Sequence, residues 1–578
     1  MTPNQPNDTS AGDATRSAAL ASLAARYWRE RLEESPIEAT LLGERRFDDR
    51  MPDITPAGHA RQKAKLVALR DQVTALPDSR LAATDAVTRS ALLGEIEADL
   101  AQLDCQLDEW TVDPLNGPQV FLLSLATLQS VESPEQGRAL AARWAKLGAY
   151  LDAHIENLRR GLSQGKVAPA GAVRRVLGQL TELLAQPDRE WILRKPAAAP
   201  RPGWSQADRD ALAREVDRAI AEGARPAFAR YKELLEREIL PRARDEAQAG
   251  ISHVPGGAAC YTRLIKVHTS LDLSAEEIHR FGMEEVARIR AEMSELGRRA
   301  LGTGDLPAIQ KRLRTDPSLY FSTRDEVEQK ATSALRRAEA AVPKWFLAAP
   351  RAACVVKRVE AHEEKDTTIA YYRPPAIDGT RPGAYHVNTY APETRPRFEA
   401  EVLAFHEAVP GHHTQIALAQ DLQLPEFRKH LGVTAFAEGW ALYTERLANE
   451  MNLYSGDLDR LGMLSFDAWR ACRLVVDTGL HARGWSRRQA IAFMMDNTVL
   501  AANNIENEVD RYITWPAQAL AYKIGQREIL ALRAQAEQRL GRRFDIRAFH
   551  DVVLRNGAVS LSILRGEVER WIEAAATD

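Results

Sequence analysis

The stretch Phe405-His406-Glu407-Ala408-Val409-Pro410-Gly411-His412-His413 sets three imidazoles and a carboxylate within eight positions. Neutral imidazoles and a carboxylate are the usual donors of a catalytic zinc site. In the familiar helical version two histidines stand four apart, so both rings leave one face about 6 Å apart along the axis, and a glutamate between them serves as base. Here Pro410 occupies that fourth position, and the next histidines come six and seven residues after His406. On an unbroken helix His412 would lie about 9 Å along the axis on a different face, and His413 would share the face two turns away. Pro410 removes a helix hydrogen bond and clashes with the preceding turn, while Gly411 tolerates a bulge or a left-handed residue. Together they can extrude residues and bring a later histidine beside His406, and bulges of this kind often mark functional sites. His412 is the first choice because it directly follows Gly411, as in the Gly-His ending of many HExGH sites. His413 is the alternative, or else a hydrogen-bond partner of substrate or of a supporting carboxylate.

Catalytic zinc sites usually take three protein ligands and a water. The third candidate is Glu438, 26 positions after His412 in Ala435-Phe436-Ala437-Glu438-Gly439-Trp440-Ala441-Leu442-Tyr443-Thr444-Glu445. That spacing allows one loop and a returning helix. Gly439 would let this helix approach the first closely. Glu445 shares the face of Glu438 two turns on, so it reads as a supporting or structural carboxylate. The expected set is therefore Zn2+ on His406, His412 and Glu438, with Glu407 as general base.

These side chains need a frame. The chain has 578 residues, 45% hydrophobic and 27% charged, which is ample for a large core. Most of it to about residue 345 carries apolar residues at helical spacing, broken by Pro and Gly. Residues 1 to 16 are polar and expected to be a disordered tail. Residues 17 to 578 read as a single unit with two lobes. Between Ala352 and Thr389, three short β-branched or aromatic runs predict a small antiparallel sheet, spanning about 352–390, just ahead of the metal motif at 400–450. Helices then resume to the end. The fold class is mainly α.

The formal net charge is −3, without the basic excess of a nucleic-acid-binding protein. No apolar run approaches the roughly 18 residues of a membrane helix. Cys105, Cys260, Cys354 and Cys472 form no CxxC pair and read as four buried free thiols in a reducing compartment. With no secretory start at the N-terminus, the expectation is a cytoplasmic protein with no nucleic-acid or membrane partner.

HEAVPGHH followed by FAEGWALY resembles the bacterial family called domain of unknown function 885, which is grouped with HExxH metallopeptidases of the glutamate-ligand type. The likeness extends to Asp316–Glu326, Arg381–Thr389, Arg473–Gly479 and Phe544–Gly557. More distantly the arrangement is similar to the angiotensin-converting enzyme, oligopeptidase and carboxypeptidase Taq families. The resemblance implies a two-lobed helical metallopeptidase-like fold with a deep cleft, and a zinc peptidase acting on short peptides. It also implies an oxyanion donor in a late helix, where Tyr512 and Tyr522 stand ten apart. Beside them, Arg511 would hold a substrate carboxylate or pair with Glu508. The strand before the metal motif would pair as an edge with substrate backbone, with His386 and Asn388 in contact, or else be an ordinary structural strand. Asp477 and His481, four apart, could orient a metal-bound histidine or satisfy each other. Two alternatives stand beside the peptidase: a metal-dependent hydrolase of a non-peptide amide, and a catalytically silent metal- or peptide-binding protein.

Overall fold

The computed structural model describes residues 9–77, 81–360, 364, 368–376, 379 and 381–577, with residues 9–16 described in backbone only. The first helix, α1, runs Thr9–Glu34. It begins inside the segment expected to be a disordered tail, whose first eight residues lie outside the described ones.

The chain forms two compact units: one takes the chain up to Leu81 with Glu95–Cys260 and Gly484–Arg487, and the other takes Ala82–Gly94, Tyr261–Arg483 and Arg488–Asp578. In the first unit, α2 (Leu147–Ser163), α3 (Ala170–Ala185) and α4 (Arg225–Leu234) are amphipathic helices. Leu147, Leu151, Ile155 and Leu158 form the buried stripe of α2, and they pack with Val173, Val176 and Leu180 of α3 and with Phe228 and Tyr231 of α4. The spacing of these residues is that of one helix face turned to a core.

The second unit is built on two long helix pairs. Helix α5 (Ala275–Leu301) starts at a capping box, with the Ser274 hydroxyl on the Glu277 amide and the Glu277 carboxylate on the Ser274 amide. Thr323 and Glu326 cap α6 (Arg324–Trp345) in the same way. After the sheet come α7 (Ala400–Glu407), α8 (His412–Asp421), α9 (Thr434–Glu450), α10 (Asp457–Ala482), α11 (Ala502–Thr514) and α12 (Ala521–Leu540). Helix α10 is buried around most of its circumference and packs on α5, where Gly282 meets Leu474 and Val475. Helix α9 packs on α12 through Gly439 and Gly525: a Cβ on Gly439 would lie 2.4 Å from the Gly525 Cα. Two glycines facing each other allow this approach, because any side chain there would push the helices apart.

The three strands are β1 (Cys354–Arg358), β2 (Ala370–Arg373) and β3 (Gly383–Val387). Their order is β1-β3-β2, with β3 parallel to β1 and antiparallel to β2. The sheet is thus mixed, where an antiparallel one was expected. The short connection 374–382 makes β2 and β3 a hairpin, and β3 is buried along its whole length. A buried strand needs backbone partners on both edges, so β3 takes the middle place. It is therefore no edge for a substrate backbone.

No helix among the described residues is long and apolar enough to cross a membrane. The expectation of four free thiols is corrected: Cys105 and Cys260, 155 positions apart, form a disulfide, while Cys354 and Cys472 are free and buried. Distance in sequence hid the pair, since their Cα atoms come within 5.2 Å only on folding. Burial pushes the Cys354 thiol up to about 12, which keeps it protonated and unreactive. Alkylation without reductant, followed by peptide mapping, should label Cys354 and Cys472 after unfolding and recover Cys105 and Cys260 as one linked pair. Four labelled cysteines would remove the bridge.

Candidate metal centre

Helix α7 ends at Glu407, and α8 begins at His412. Rather than bulging within one helix, the chain breaks there. Ala408 leaves helical geometry at φ −105°, ψ −114°, the Val409–Pro410 bond is cis, and Gly411 folds back onto the last turn of α7. A Cβ on Gly411 would sit 1.9 Å from the His406 carbonyl oxygen and 2.4 Å from that of Phe405. Only glycine fits that contact, and it is what carries His412 back to His406.

The break strands carbonyl groups that an unbroken helix would satisfy, and α9 supplies donors for them. The Trp440 indole N–H donates to the Pro410 carbonyl at 3.0 Å, and the Thr444 hydroxyl to that of Phe405 at 3.2 Å. The His413 amide closes the turn on the Ala408 carbonyl at 3.1 Å. The groups that hold the break thus lie on the helix that also carries Glu438.

The rings of His406 and His412 stand 4.8 Å apart at 88°. Each Nε2 lies 3.6 Å from the same Glu438 oxygen, Oε2. Donor atoms of all three residues fall within 4.8 Å of one another. Zinc binds nitrogen and oxygen at about 2.0–2.1 Å, which puts tetrahedral donors roughly 3.3 Å apart. The three side chains fit such an ion with small adjustments. They are also recessed: His406, His412 and Glu438 side chains are 5%, 12% and 21% exposed.

Glu445 supports this group from behind. It is buried and binds His406 Nδ1 at 2.8 Å. The carboxylate fixes the tautomer that leaves the Nε2 lone pair facing Glu438, a common support for a metal-bound imidazole. Burial by itself disfavours the His406 imidazolium, but Glu438 and Glu445 outweigh it and hold the ring up to about 9. Burial would likewise raise Glu438, yet the two imidazoles hold it well below the ordinary carboxylate range. The pocket therefore favours a cation. Glu407 ends α7 next to His406, half-buried, and its charge acts on both His406 and the buried Tyr385 hydroxyl.

Several expected site residues lie elsewhere in role. His413 is no part of the triad: Nδ1 pairs with the Tyr372 hydroxyl at 2.9 Å and Nε2 with the Ala352 carbonyl at 3.1 Å. Both ring nitrogens are occupied, so the residue ties α8 to β2 instead of meeting substrate, and burial lowers it to about 4. Asn388 gives its amide to the Glu364 and Thr368 carbonyls and accepts from the Tyr390 amide. It is a fully buried brace for the loop after β3. His386 stacks on Tyr371 across the β2–β3 pair, ring centroids 4.7 Å apart.

Tyr512 donates to Glu508 at 2.7 Å and accepts from Arg473 Nε at 3.0 Å and Trp469 Nε1 at 3.1 Å. A phenol has one proton and two lone pairs, so this hydroxyl is saturated and cannot also serve an oxyanion. Arg511 binds Glu508 and Gln518, which is its pairing reading rather than substrate capture. Asp477 accepts from Tyr261 at 2.6 Å and the Ala517 amide at 3.2 Å, and His481 meets the Tyr512 carbonyl. None of these contacts is to His406 or His412.

Tyr522 is the tyrosine on the triad's side. It sits in the first turn of α12, with the Arg473 guanidinium 4.4 Å from its ring centroid, and its hydroxyl feels the Glu438 charge. Arg470, not singled out in the sequence, lies in the same place. Its charge acts on Glu438, Glu445 and Tyr522. The available signal was two arginines three apart, Arg470 and Arg473, inside an otherwise apolar stretch of α10.

Glu445→Gln removes the charge behind His406 without emptying the space. Zinc affinity should fall by about 10–100-fold with unchanged circular dichroism; unaltered affinity would reduce Glu445 to packing. The sign of the proton linkage also follows. With His406 raised to about 9, the metal-free ring is protonated at pH 7.5, and metal needs it neutral. Zinc uptake at pH 7.5 should release protons and weaken as pH falls, read by calorimetry in buffers of different ionisation enthalpy.

No curated protein matches the sequence. Two similar solved structures are each described as a "putative lipoprotein". The one from Colwellia psychrerythraea is 27% identical with a TM-score of 0.90, covering 97% of this chain and 100% of that one. The other, from Shewanella oneidensis and described as of unknown function, is 19% identical with a TM-score of 0.74, covering 95% and 99%; at that identity the likeness is one of fold. The model of the family described as bacterial protein of unknown function (DUF885) matches residues 36–568. The chain belongs to that family.

Proposed function

We propose that this protein is a zinc-dependent peptidase that cuts short peptides. The observation that carries the reading is the convergence of His406, His412 and Glu438 on one recessed point with Glu407 beside it. Two imidazoles and a carboxylate leave a tetrahedral ion one open position, as catalytic sites require. Zinc bound there would supply Lewis acidity toward a water and toward the scissile carbonyl.

The chain's own groups then divide the work. Glu407 accepts the proton of the attacking water and returns it to the leaving amine as the C–N bond breaks. Tyr522 donates its hydroxyl to the carbonyl oxygen as charge gathers there. Glu445 holds His406 in register throughout. The recessed triad suits an extended chain better than the surface of a folded protein. The distant likeness to glutamate-ligand zinc peptidases points the same way.

The compartment belongs to this reading as well. Disulfides persist in oxidising surroundings, and the structural neighbours carry lipoprotein descriptions. Both favour export over the cytoplasmic location expected from the sequence. Fractionation of native cells decides between them.

Elemental analysis of protein purified without chelator, joined to digestion of a peptide library, tests the function. One zinc per chain is expected in the wild type, lost in His406→Ala, His412→Ala and Glu438→Ala but kept in His413→Ala. Glu407→Gln should keep metal and lose hydrolysis. Tyr522→Phe should lower kcat by about 10²-fold or more, as expected for an oxyanion donor, whereas Tyr512→Phe should act on stability. Metal without cleavage of any peptide would favour the silent binding protein, and metal with turnover of a non-peptide amide would favour that hydrolase.

A further inference from the structure

Asp477 hydrogen-bonds to neither metal histidine, yet the fold buries its carboxylate completely. Asp477, Tyr261 and Ala517 are 0%, 2% and 0% exposed. The Tyr261 hydroxyl, on the helix Gly257–Thr269, donates to Asp477 Oδ1 at 2.6 Å, and its ring packs on His481 with centroids 5.2 Å apart. The Ala517 amide donates to both Asp477 oxygens at 3.2 Å. Burial pushes Asp477 up to about 7, so its charge is held against its own solvation.

What the carboxylate holds is a strained point of the backbone. Ala517 sits at φ +68°, ψ −16°. In that left-handed region a Cβ crowds the chain, and alanine has no polar side chain to bond locally in compensation. Such a conformation persists only where its surroundings over-determine it, and strain of this kind gathers at functional sites. Here the surroundings are the Asp477 carboxylate on the amide and a single turn, Gln518–Leu520, closed by the Leu520 amide on the Ala517 carbonyl at 3.1 Å. That turn runs directly into α12.

The junction decides where Tyr522 points. Tyr522 is the second residue of α12, in the turn whose amides have no partner within the helix. No side chain caps α12. The chain leading into it is fixed instead at Ala517, and α12 itself is fixed at Gly525 against Gly439 of α9, the helix that carries Glu438. Tyr522 lies between these two points. Its hydroxyl feels the Glu438 charge, and an oxyanion donor works only when it is already aimed at the place where charge develops.

We propose that Asp477 is a positioning residue of the peptidase: by holding Ala517 in its left-handed conformation it sets the start of α12 and so aims the Tyr522 hydroxyl at the scissile carbonyl. The proposal rests on the peptidase reading and extends its machinery to a residue that acts only through another. Tyr261 shares the task, since its hydroxyl fixes which way the carboxylate faces.

The test is a double-mutant cycle on the full-length, zinc-loaded protein. Asp477→Leu keeps the branched shape of the side chain and removes the acceptor. It should lower kcat about 10-fold or more with KM and zinc content little changed, whereas in Tyr522→Phe the same substitution should cost less than about 2-fold, because the hydroxyl it aims is already gone. Losses that multiply in the double variant overturn the proposal, since a general disturbance of the fold would act on both backgrounds alike. A readout free of turnover comes from 3-fluorotyrosine placed at position 522. Its fluorine resonance should be displaced by Asp477→Leu, and an identical resonance overturns the proposal whether or not peptides are cut. A displaced resonance in a chain that cuts no peptide keeps the hold of Asp477 on Tyr522 while the peptidase reading falls. If Asp477→Leu does not fold, Tyr261→Phe, which frees the carboxylate but keeps the ring against His481, carries both measurements with the same expected signs.

Discussion

Everything at this site depends on a backbone contact made by a residue without a side chain. Two imidazoles six positions apart diverge on a regular helix. They meet here because Gly411 lies directly against the His406 carbonyl, where a Cβ would fall at 1.9 Å. The contact ends one helix and starts another within four residues, so the second imidazole is carried by a fresh helix start instead of by helical periodicity. Such a break leaves buried carbonyls that must be met. Trp440 and Thr444 meet them from the helix that also carries Glu438 and Glu445. The third donor and the caps of the break are consequently parts of one rigid element, itself set close to α12 by Gly439 against Gly525. A shift of α9 would move the carboxylate and unseat the histidine turn together.

The same constraint separates two adjacent histidines that the sequence left in competition. His412 is the first residue of α8 and His413 the second, so their rings leave in different directions. The first faces Glu438. The second turns toward β2 and closes on Tyr372 and the Ala352 carbonyl. Its neighbour Gly383 has room for no side chain, since a Cβ would lie 2.6 Å from His413 Nδ1. The small sheet thus braces α8 through His413.

Local chemistry was legible in the sequence, and partnership was not. The types of His406, Glu407, His412 and Glu438, the break at Pro410-Gly411 and the close approach at Gly439 can all be read from spacing and conformational freedom. So can the helical character of the chain and the three short strands. What spacing does not carry is which groups meet across hundreds of residues. Tyr512 and Tyr522 looked equivalent until Glu508, Arg473 and Trp469 were seen to saturate the first. Asn388 looked free until three backbone groups were seen to occupy it. Cys105 and Cys260 looked unrelated at 155 positions apart. The strand order failed for the same reason: β2 and β3 are a hairpin by length alone, but only burial puts β3 between β2 and β1.

Arg470 shows how far a single helix can be read without its neighbours. In sequence it is one of two arginines in an apolar run, which by itself suggests a surface stripe or an ion pair. In the fold, α10 is buried nearly all round, and its polar residues divide by partner. Asp467 takes Lys523 and Arg446, and Asp477 takes Tyr261 and a backbone amide. Arg473 takes Glu508 and Tyr512. Arg470 is stacked on the rings of Phe466 and Trp469 with Nε and Nη1 making no hydrogen bond. Glu445 holds His406 through one oxygen and leaves the other, Oε2, buried without a hydrogen bond, and its charge acts on Arg470. Spacing along α10 does not show that this cation is set, in the fold, against a carboxylate that also braces His406.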